Sequence, residues 1–231
     1  MSAAFTVICT PPLLVARFPG PRQIIGWSIN RPGVTVADQV AWLEVRDADL
    51  PEGCDPVAIL DARLADLGAG GAVGMMTARD VRRHHRAEAT VEGVSACCLA
   101  TAGLSNGGRV GATRTDWHPP KTGTINVLAS VSVPLTEGAR LEALSIVVEA
   151  RTVAIIELGL CRPEGRVTGT GTDCVVLAAG MDGDPVPYAG LHTAVGEALG
   201  RAVHGAVAEA GRVWLAEQSA AVLAALGLRR G

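Results

Sequence analysis

Strand-length apolar runs outnumber helix-length ones in this chain of 231 residues, and the two do not alternate. Residues 5–8, 13–18 and 23–30 are short apolar runs, separated by Pro11-Pro12 and by the turn-forming Pro19-Gly20-Pro21. Arg31-Pro32-Gly33 closes the third. Residues 72–77, 94–101, 125–133 and 174–179 read as further strands, and 125–133 is rich in β-branched residues. Helical spacing is found in three places. Asp55 ahead of Pro56 has the form of an N-cap with proline at the first helical position, and Ile59, Leu60, Leu64 and Leu67 follow up to Gly68. A long helix is predicted over 137–158, with Thr136 as its N-cap and Gly159 just past its end. Its apolar arc holds Leu141, Leu144, Val148 and Ile155, with Arg151 on one flank and Glu149 on the other. Residues 191–226 read as helical, with Gly196 and Gly200 allowing close backbone packing. Without one-for-one alternation, a doubly wound parallel sheet is disfavoured. The pattern predicts an α+β fold: one domain over 1–231, with a mixed, largely antiparallel sheet, layered helices and a helical C-terminus.

Composition narrows the function classes. Charged residues make up 19% and the net charge is −3, which excludes a disordered chain and speaks against a dedicated nucleic-acid binder. Only 3% of residues are aromatic, so Ala, Val, Leu and Ile must pack the core. Lys121 is the sole lysine among 20 basic residues, a bias that reads as genomic base composition. The apolar stretches are interrupted by Arg, Glu or Gly short of the about 18 residues that a membrane span needs. The sequence does not open on a charged segment followed by a long apolar one, so a cytoplasmic, reducing location is expected. There Cys9, Cys54, Cys97, Cys98, Cys161 and Cys174 are free thiols. Cys97 and Cys98 are neighbours in a strand-like run and point to opposite faces, a poor geometry for a shared metal ion. No C-x-x-C or H-E-x-x-H spacing occurs, so no metal site is expected.

Three polar turns at strand ends carry the chemistry. The first, 101–111 (TAGLSNGGRVG), offers the hydroxyl of Ser105, the carboxamide of Asn106 and the cation of Arg109 among small residues that let a ligand approach the backbone. A tight hairpin turn would use the same residues. The second opens the strand at 125: Thr124 and Asn126, two apart, share one face, towards either a site or solvent. The third is Gly169-Thr170-Gly171-Thr172-Asp173, with backbone N–H groups, two hydroxyls and a carboxylate. It is not a phosphate-binding loop of the G-x-x-x-x-G-K-[ST] type, and no dinucleotide fingerprint occurs elsewhere. His192 is placed at the start of the C-terminal helix, where the helix dipole favours the neutral imidazole that a general base needs. His84 and His85 read as solvated, His204 as surface or interhelical, and His118 as a loop residue. The tryptophans Trp27, Trp42, Trp117 and Trp214 read as core or rim.

Six segments in order then form a pattern: VGMMTARDV (73–81), ATAGLSN (100–106), GTIN (123–126), EARTVAIIEL (149–158), TGTGTD (168–173) and GLHTAVGE (190–197). Together they resemble the adenosylcobinamide amidohydrolases of corrinoid salvage, over roughly residues 20–205. Two departures stand out: Arg151 takes the place of an expected lysine, and Gly107-Gly108 replace bulkier residues. The resemblance implies hydrolysis of the amide that holds the aminopropanol arm of adenosylcobinamide, giving adenosylcobyric acid and 1-amino-2-propanol. It implies no cofactor, since the cobalt belongs to the corrinoid substrate. The partner is that small molecule, neither nucleic acid nor membrane, and a homo-oligomer stays open. On this resemblance His192 is the expected base, oriented by Asp173 or Glu149 and acting on water or on Ser105. Asn106, Asn126 or glycine-turn N–H groups would stabilise the oxyanion. Arg109, Thr124, Arg151, Thr170 and Thr172 would contact substrate. A non-catalytic corrinoid binder, or an amidohydrolase for another carboxamide, is the alternative.

Overall fold

The computed structural model describes residues 5–113 and 123–231. Strands β1 (Thr6–Thr10), β2 (Leu13–Gly26) and β3 (Gly33–Glu44) come first, then helix α1 (Pro56–Asp66) and strand β4 (Val73–Thr77). Strands β5 (His85–Val91) and β6 (Val94–Ala102) form a hairpin, followed by the two-residue β7 (Gly107–Gly108) and by β8 (Ile125–Val131). Helix α2 (Glu137–Glu157) leads into the short strands β9 (Leu160–Arg162), β10 (Gly165–Arg166) and β11 (Gly169–Thr170), and then into β12 (Cys174–Ala179). Helices α3 (Ala194–Ala216) and α4 (Ala220–Ala225) precede a last short strand, β13 (Arg229–Arg230). The main sheet has the order β4-β3-β2-β12-β8-β6-β5, with β1 also on β2. Most pairs are antiparallel. The two parallel pairs, β3–β4 and β8–β12, are each joined through a helix, α1 and α2 respectively. This is the expected α+β architecture.

Alternation along the central strands feeds two cores. Cys98, Ala100, Val127, Ala129, Val175 and Leu177 face α2 and α3. Their neighbours Cys97, Leu99, Leu128 and Val176 pack against Phe5, Leu14, Val40 and Trp42 from the other half of the same sheet. The sheet must therefore fold over on itself, and β2 is the strand where it does so. Its register with β3 shifts between Arg17 and Arg22, an irregularity that bends and twists a strand. Pro19-Gly20-Pro21, expected as a turn, lies inside this single strand. On the outside, α1 lays Leu60 and Leu64 against Val15, Leu43 and Met76. The layers run helix, strand, strand, helix.

Both predicted caps form. Asp55 accepts N–H bonds from Val57 at 2.9 Å and Ala58 at 3.2 Å, and Thr136 accepts one from Ala139 at 3.2 Å. The buried face of α2 differs from the expected arc. Ala139, Ala143, Ile146, Val147, Arg151 and Ala154 are buried while Leu141 is exposed, so Arg151 lies on the buried stripe and not on its flank. Small residues are what allow α2 and α3 to pack closely side by side on one face of the sheet. Gly200 faces Ile146 and Gly211 faces Leu158, so α3 runs parallel to α2. His85, expected in solvent, is half-buried on β5, and burial holds its pKa below the ordinary value. No helix among the described residues is long and apolar enough to cross a membrane.

Candidate active site

The three polar turns meet at one end of the folded sheet. Strand β7 pairs with β11, setting Gly107 opposite Thr170 and Gly108 opposite Gly169. The N–H of Gly103 donates to the carbonyl of Thr124 at 2.9 Å, which docks the first turn on the second. The Thr124 hydroxyl stands 2.8 Å from the Thr172 carbonyl and 2.9 Å from Asn126 Oδ1. One hydroxyl proton serves only one of these acceptors at a time. Thr172 in turn donates its hydroxyl to the Gly123 carbonyl at 2.7 Å, which ties the second turn to the third.

Asp173 is the hub of this end. Its Oδ1 accepts the N–H of Ile125 at 3.0 Å and the hydroxyl of Thr170, while Oδ2 accepts Arg151 Nη1 at 2.7 Å and the N–H of Thr170 at 3.1 Å. Four donors occupy the carboxylate. It has no lone pair left for taking a proton from water, so its part is to hold β8, β11 and α2 together. Arg151 also donates to the Thr168 carbonyl at 3.2 Å.

Close approach fixes Gly123. A Cβ there would lie 2.7 Å from the Gly103 carbonyl oxygen and 2.9 Å from both Asn106 Oδ1 and the Ser105 nitrogen. Asn106 Oδ1 is buried with no hydrogen-bond partner. Ser105 is half-buried in the same turn. The glycine at 107 has a local cause as well, since a Cβ would come within 2.9 Å of Val167 Cγ1.

Among the described residues, three cavities adjoin along these turns. The first, of about 500 Å³, has an apolar floor of Ile29, Val45, Leu50 and Met76, with Thr124 and Thr172 on one edge and Asp47 among its lining. The second, of about 660 Å³, lies over Asn106 and Arg162. The third, of about 440 Å³, runs between Trp27, Arg109, Arg151, Thr170 and Asp173. The second and third share Gly108 and Arg109, and the Thr172–Asp173 step separates the first from the third.

The expected partners of His192 are elsewhere. His192 is exposed and stands one residue ahead of Thr193, the N-cap of α3, so it is not in the helix's first turn. Ala189 donates its N–H to Glu142 near the start of α2, whereas Asp173 meets Arg151 nine residues further along that helix. His192 and Asp173 thus lie beyond opposite ends of β12, about 20 Å of strand. Glu149 is exposed on α2. Asn126 is fully buried, and its Nδ2 donates to the Met76 carbonyl at 2.7 Å, so that N–H is committed and not free for an oxyanion. His118, Trp117 and Lys121 lie outside the described residues.

Sequence reasoning did not single out Asp47, Met76 or Thr77, and it read Trp27 as core or rim. Asp47 belongs to a single 3-10 turn after β3, and no local pattern marks it as facing a cavity. Trp27 carried a signal in its rarity. In a chain with four tryptophans, two phenylalanines and one tyrosine, this one is 40% exposed and lines the third cavity. No group of His, Cys, Asp and Glu among the described residues is arranged to hold a metal ion.

Residues 2–219 match the family model described as adenosylcobinamide amidohydrolase. Over 91 residues, 38% of this chain, the sequence is 41% identical to an uncharacterized protein of Methanocaldococcus jannaschii, of which 35% is covered. Over 113 residues, 47% of this chain, it is 31% identical to an adenosylcobinamide amidohydrolase of Halobacterium salinarum, of which 46% is covered. The matched segments span between about a third and a half of the length of these relatives. Among solved structures, the PH0078 protein of Pyrococcus horikoshii is similar with a TM-score of 0.44 and 11% identity, over 90% of this chain and 83% of that one.

Proposed function

Because the chain belongs to the adenosylcobinamide amidohydrolase family, we propose that it hydrolyses the amide bearing the aminopropanol arm of adenosylcobinamide. Water adds across the C–N bond. The acyl carbon takes the hydroxyl, giving adenosylcobyric acid, and the nitrogen takes the proton, releasing 1-amino-2-propanol. The acid re-enters cobalamin biosynthesis, and the step is a salvage reaction of the cytoplasm, where free thiols persist.

The observation that carries this reading is the apolar cavity edged by Thr124 and Thr172, on turns built from the family's own segments. A corrinoid is large and amphipathic with a rim of carboxamides, so its site needs apolar floor beside scattered polar partners. Ile29, Val45, Leu50 and Met76 supply the floor. The unpartnered Oδ1 of Asn106 is suited to receive an N–H from a substrate carboxamide. Of the cavity's lining, Asp47 is the carboxylate, and it takes the part of general base towards water. Cys174 lines the cavity too, but burial pushes its thiol up to about 11, so it stays protonated and is no nucleophile at neutral pH.

Incubation of the purified protein with adenosylcobinamide, followed by chromatography, tests the reading. Cobyric acid and aminopropanol in equal amounts are expected. Tight binding without product would make the protein a corrinoid carrier, and absence of binding would point to another carboxamide substrate.

A further inference from the structure

Trp27 is held in a way that no packing role requires. Its backbone N–H donates to the Val175 carbonyl at 3.1 Å, and its indole Nε1 donates to the Asp173 carbonyl at 2.6 Å. Asp173 is itself fixed by the four donors described above. The ring is pinned at its polar edge, yet Trp27 as a residue remains 40% exposed, while Trp42 and Trp214 are 0% and 4% exposed. An anchored indole with a free face is a stacking surface for another flat π-system.

The rest of that cavity fits such a guest. Its lining includes Gly169, Gly171 and the exposed Arg109, and at Gly169 only a missing Cβ leaves room for Arg151 and Asp173. Arg151 lines the same cavity, is 9% exposed, and has a buried Nε–H with no hydrogen-bond partner. A buried donor left unmade is costly, and a ring nitrogen or a ribose oxygen of a bound nucleoside would satisfy it. A lysine at this position could form the ion pair with Asp173, but its three N–H donors all radiate from one nitrogen and none takes the place of the separate Nε–H.

We infer that the cavity beside Trp27 is a nucleoside pocket, in which the indole stacks on a purine base and Arg151 Nε–H donates to it. Resting on the proposed function, the base is the adenine of the substrate's adenosyl group. The pocket then makes Trp27 the residue that distinguishes adenosylcobinamide from cobinamides carrying another upper ligand, while the reacting amide sits across the Thr172–Asp173 step. Trp27 acts on binding and takes no part in the hydrolytic chemistry.

The test uses two substrates and one fragment. For adenosylcobinamide, Trp27→Ala should raise KM about tenfold, in keeping with the loss of one base-stacking contact, with kcat little changed. Trp27→Phe should recover most of that loss. For cobinamide with cyanide in place of the adenosyl group, wild type and Trp27→Ala should have the same KM. By ligand-observed NMR, 5′-deoxyadenosine should bind wild type and not Trp27→Ala. An equal rise in KM for both cobinamides, or deoxyadenosine binding that survives in Trp27→Ala, would overturn the pocket. Wild type that binds deoxyadenosine through Trp27 but hydrolyses neither cobinamide would support the pocket and defeat the amidohydrolase reading alone.

Discussion

Arg151 on α2 and Asp173 ahead of β12 form an ion pair at 2.7 Å, with side chains only 11% and 8% exposed. The pair joins one long helix to the turn that organises three strand ends. Both charges have left water, and they remain tolerable only because each is met by the other and by further hydrogen bonds.

Removing either partner strands the other. Arg151→Ala leaves the Asp173 carboxylate buried without its cation, and a broken buried pair costs about 3–5 kcal/mol. Urea denaturation should report a loss of that size for Arg151→Ala. Arg151→Lys should cost less, because the charge stays within reach of Asp173. Equal stability of Arg151→Ala and wild type would show that the pair contributes nothing to the fold.

Gly123 and Gly108 make opposite predictions although both lie in the polar turns. A methyl group at 123 would press on the Gly103 carbonyl oxygen at 2.7 Å and on Asn106 Oδ1 at 2.9 Å, and backbone cannot yield cheaply. At 108 nothing lies within 4 Å of the same methyl group. Gly123→Ala should destabilise the protein by about 1–3 kcal/mol and lower turnover by displacing Asn106, whereas Gly108→Ala should melt as wild type does. Thermal unfolding of the two variants side by side decides the matter.

Local chemistry was legible and long-range placement was not. The caps Asp55 and Thr136 and the bounds of β12 follow from single side chains and a bounded apolar run, and they appear as read. Strands β3 and β5 escaped notice for a common reason. On β3, Val34 and Val36 are exposed while the polar Thr35, Asp38 and Gln39 break the apolar pattern; on β5 the inward residues are His85, Ala87, Ala89 and Val91, a face with little of the β-branched signal. The three turns of the site were each visible, but the pairing of β7 with β11 that unites them depends on the whole sheet. The reading of His192 rests on its helix terminus and on the segment GLHTAVGE, both local in sequence. Which end of the molecule that terminus occupies is set by α3 running parallel to α2, a matter of packing between residues far apart in sequence.

Exchanging the candidate bases tests where proton transfer occurs. Asp47 lines the apolar cavity, so Asp47→Asn should keep the fold and lower kcat by about 10²–10⁴, the range that general base catalysis contributes. His192 is exposed beyond the far end of β12, so His192→Ala should retain near-native turnover. Rates of cobyric acid formation by the two variants give the answer. A large loss in His192→Ala with normal kinetics in Asp47→Asn would move the chemistry to the other end of the sheet.

Buried thiols give the protein an alkaline limit. Burial pushes Cys97 and Cys174 up to about 11 from an ordinary value of 9.0, and it raises Cys98 as well. At pH 8 the folded and unfolded chains both hold these protons, so the thiols leave stability unaffected by pH. Between about pH 9 and pH 11 the unfolded chain loses the protons and the folded one keeps them, so the unfolded state binds fewer and stability falls as pH rises. The slope is about 1.4 kcal/mol per pH unit for each such thiol. Urea midpoints should therefore hold steady from pH 7 to pH 8.5 and decline towards pH 10.5. Cys97→Ala and Cys174→Ala should each flatten the decline, and an unchanged slope in both variants would place its origin in other groups.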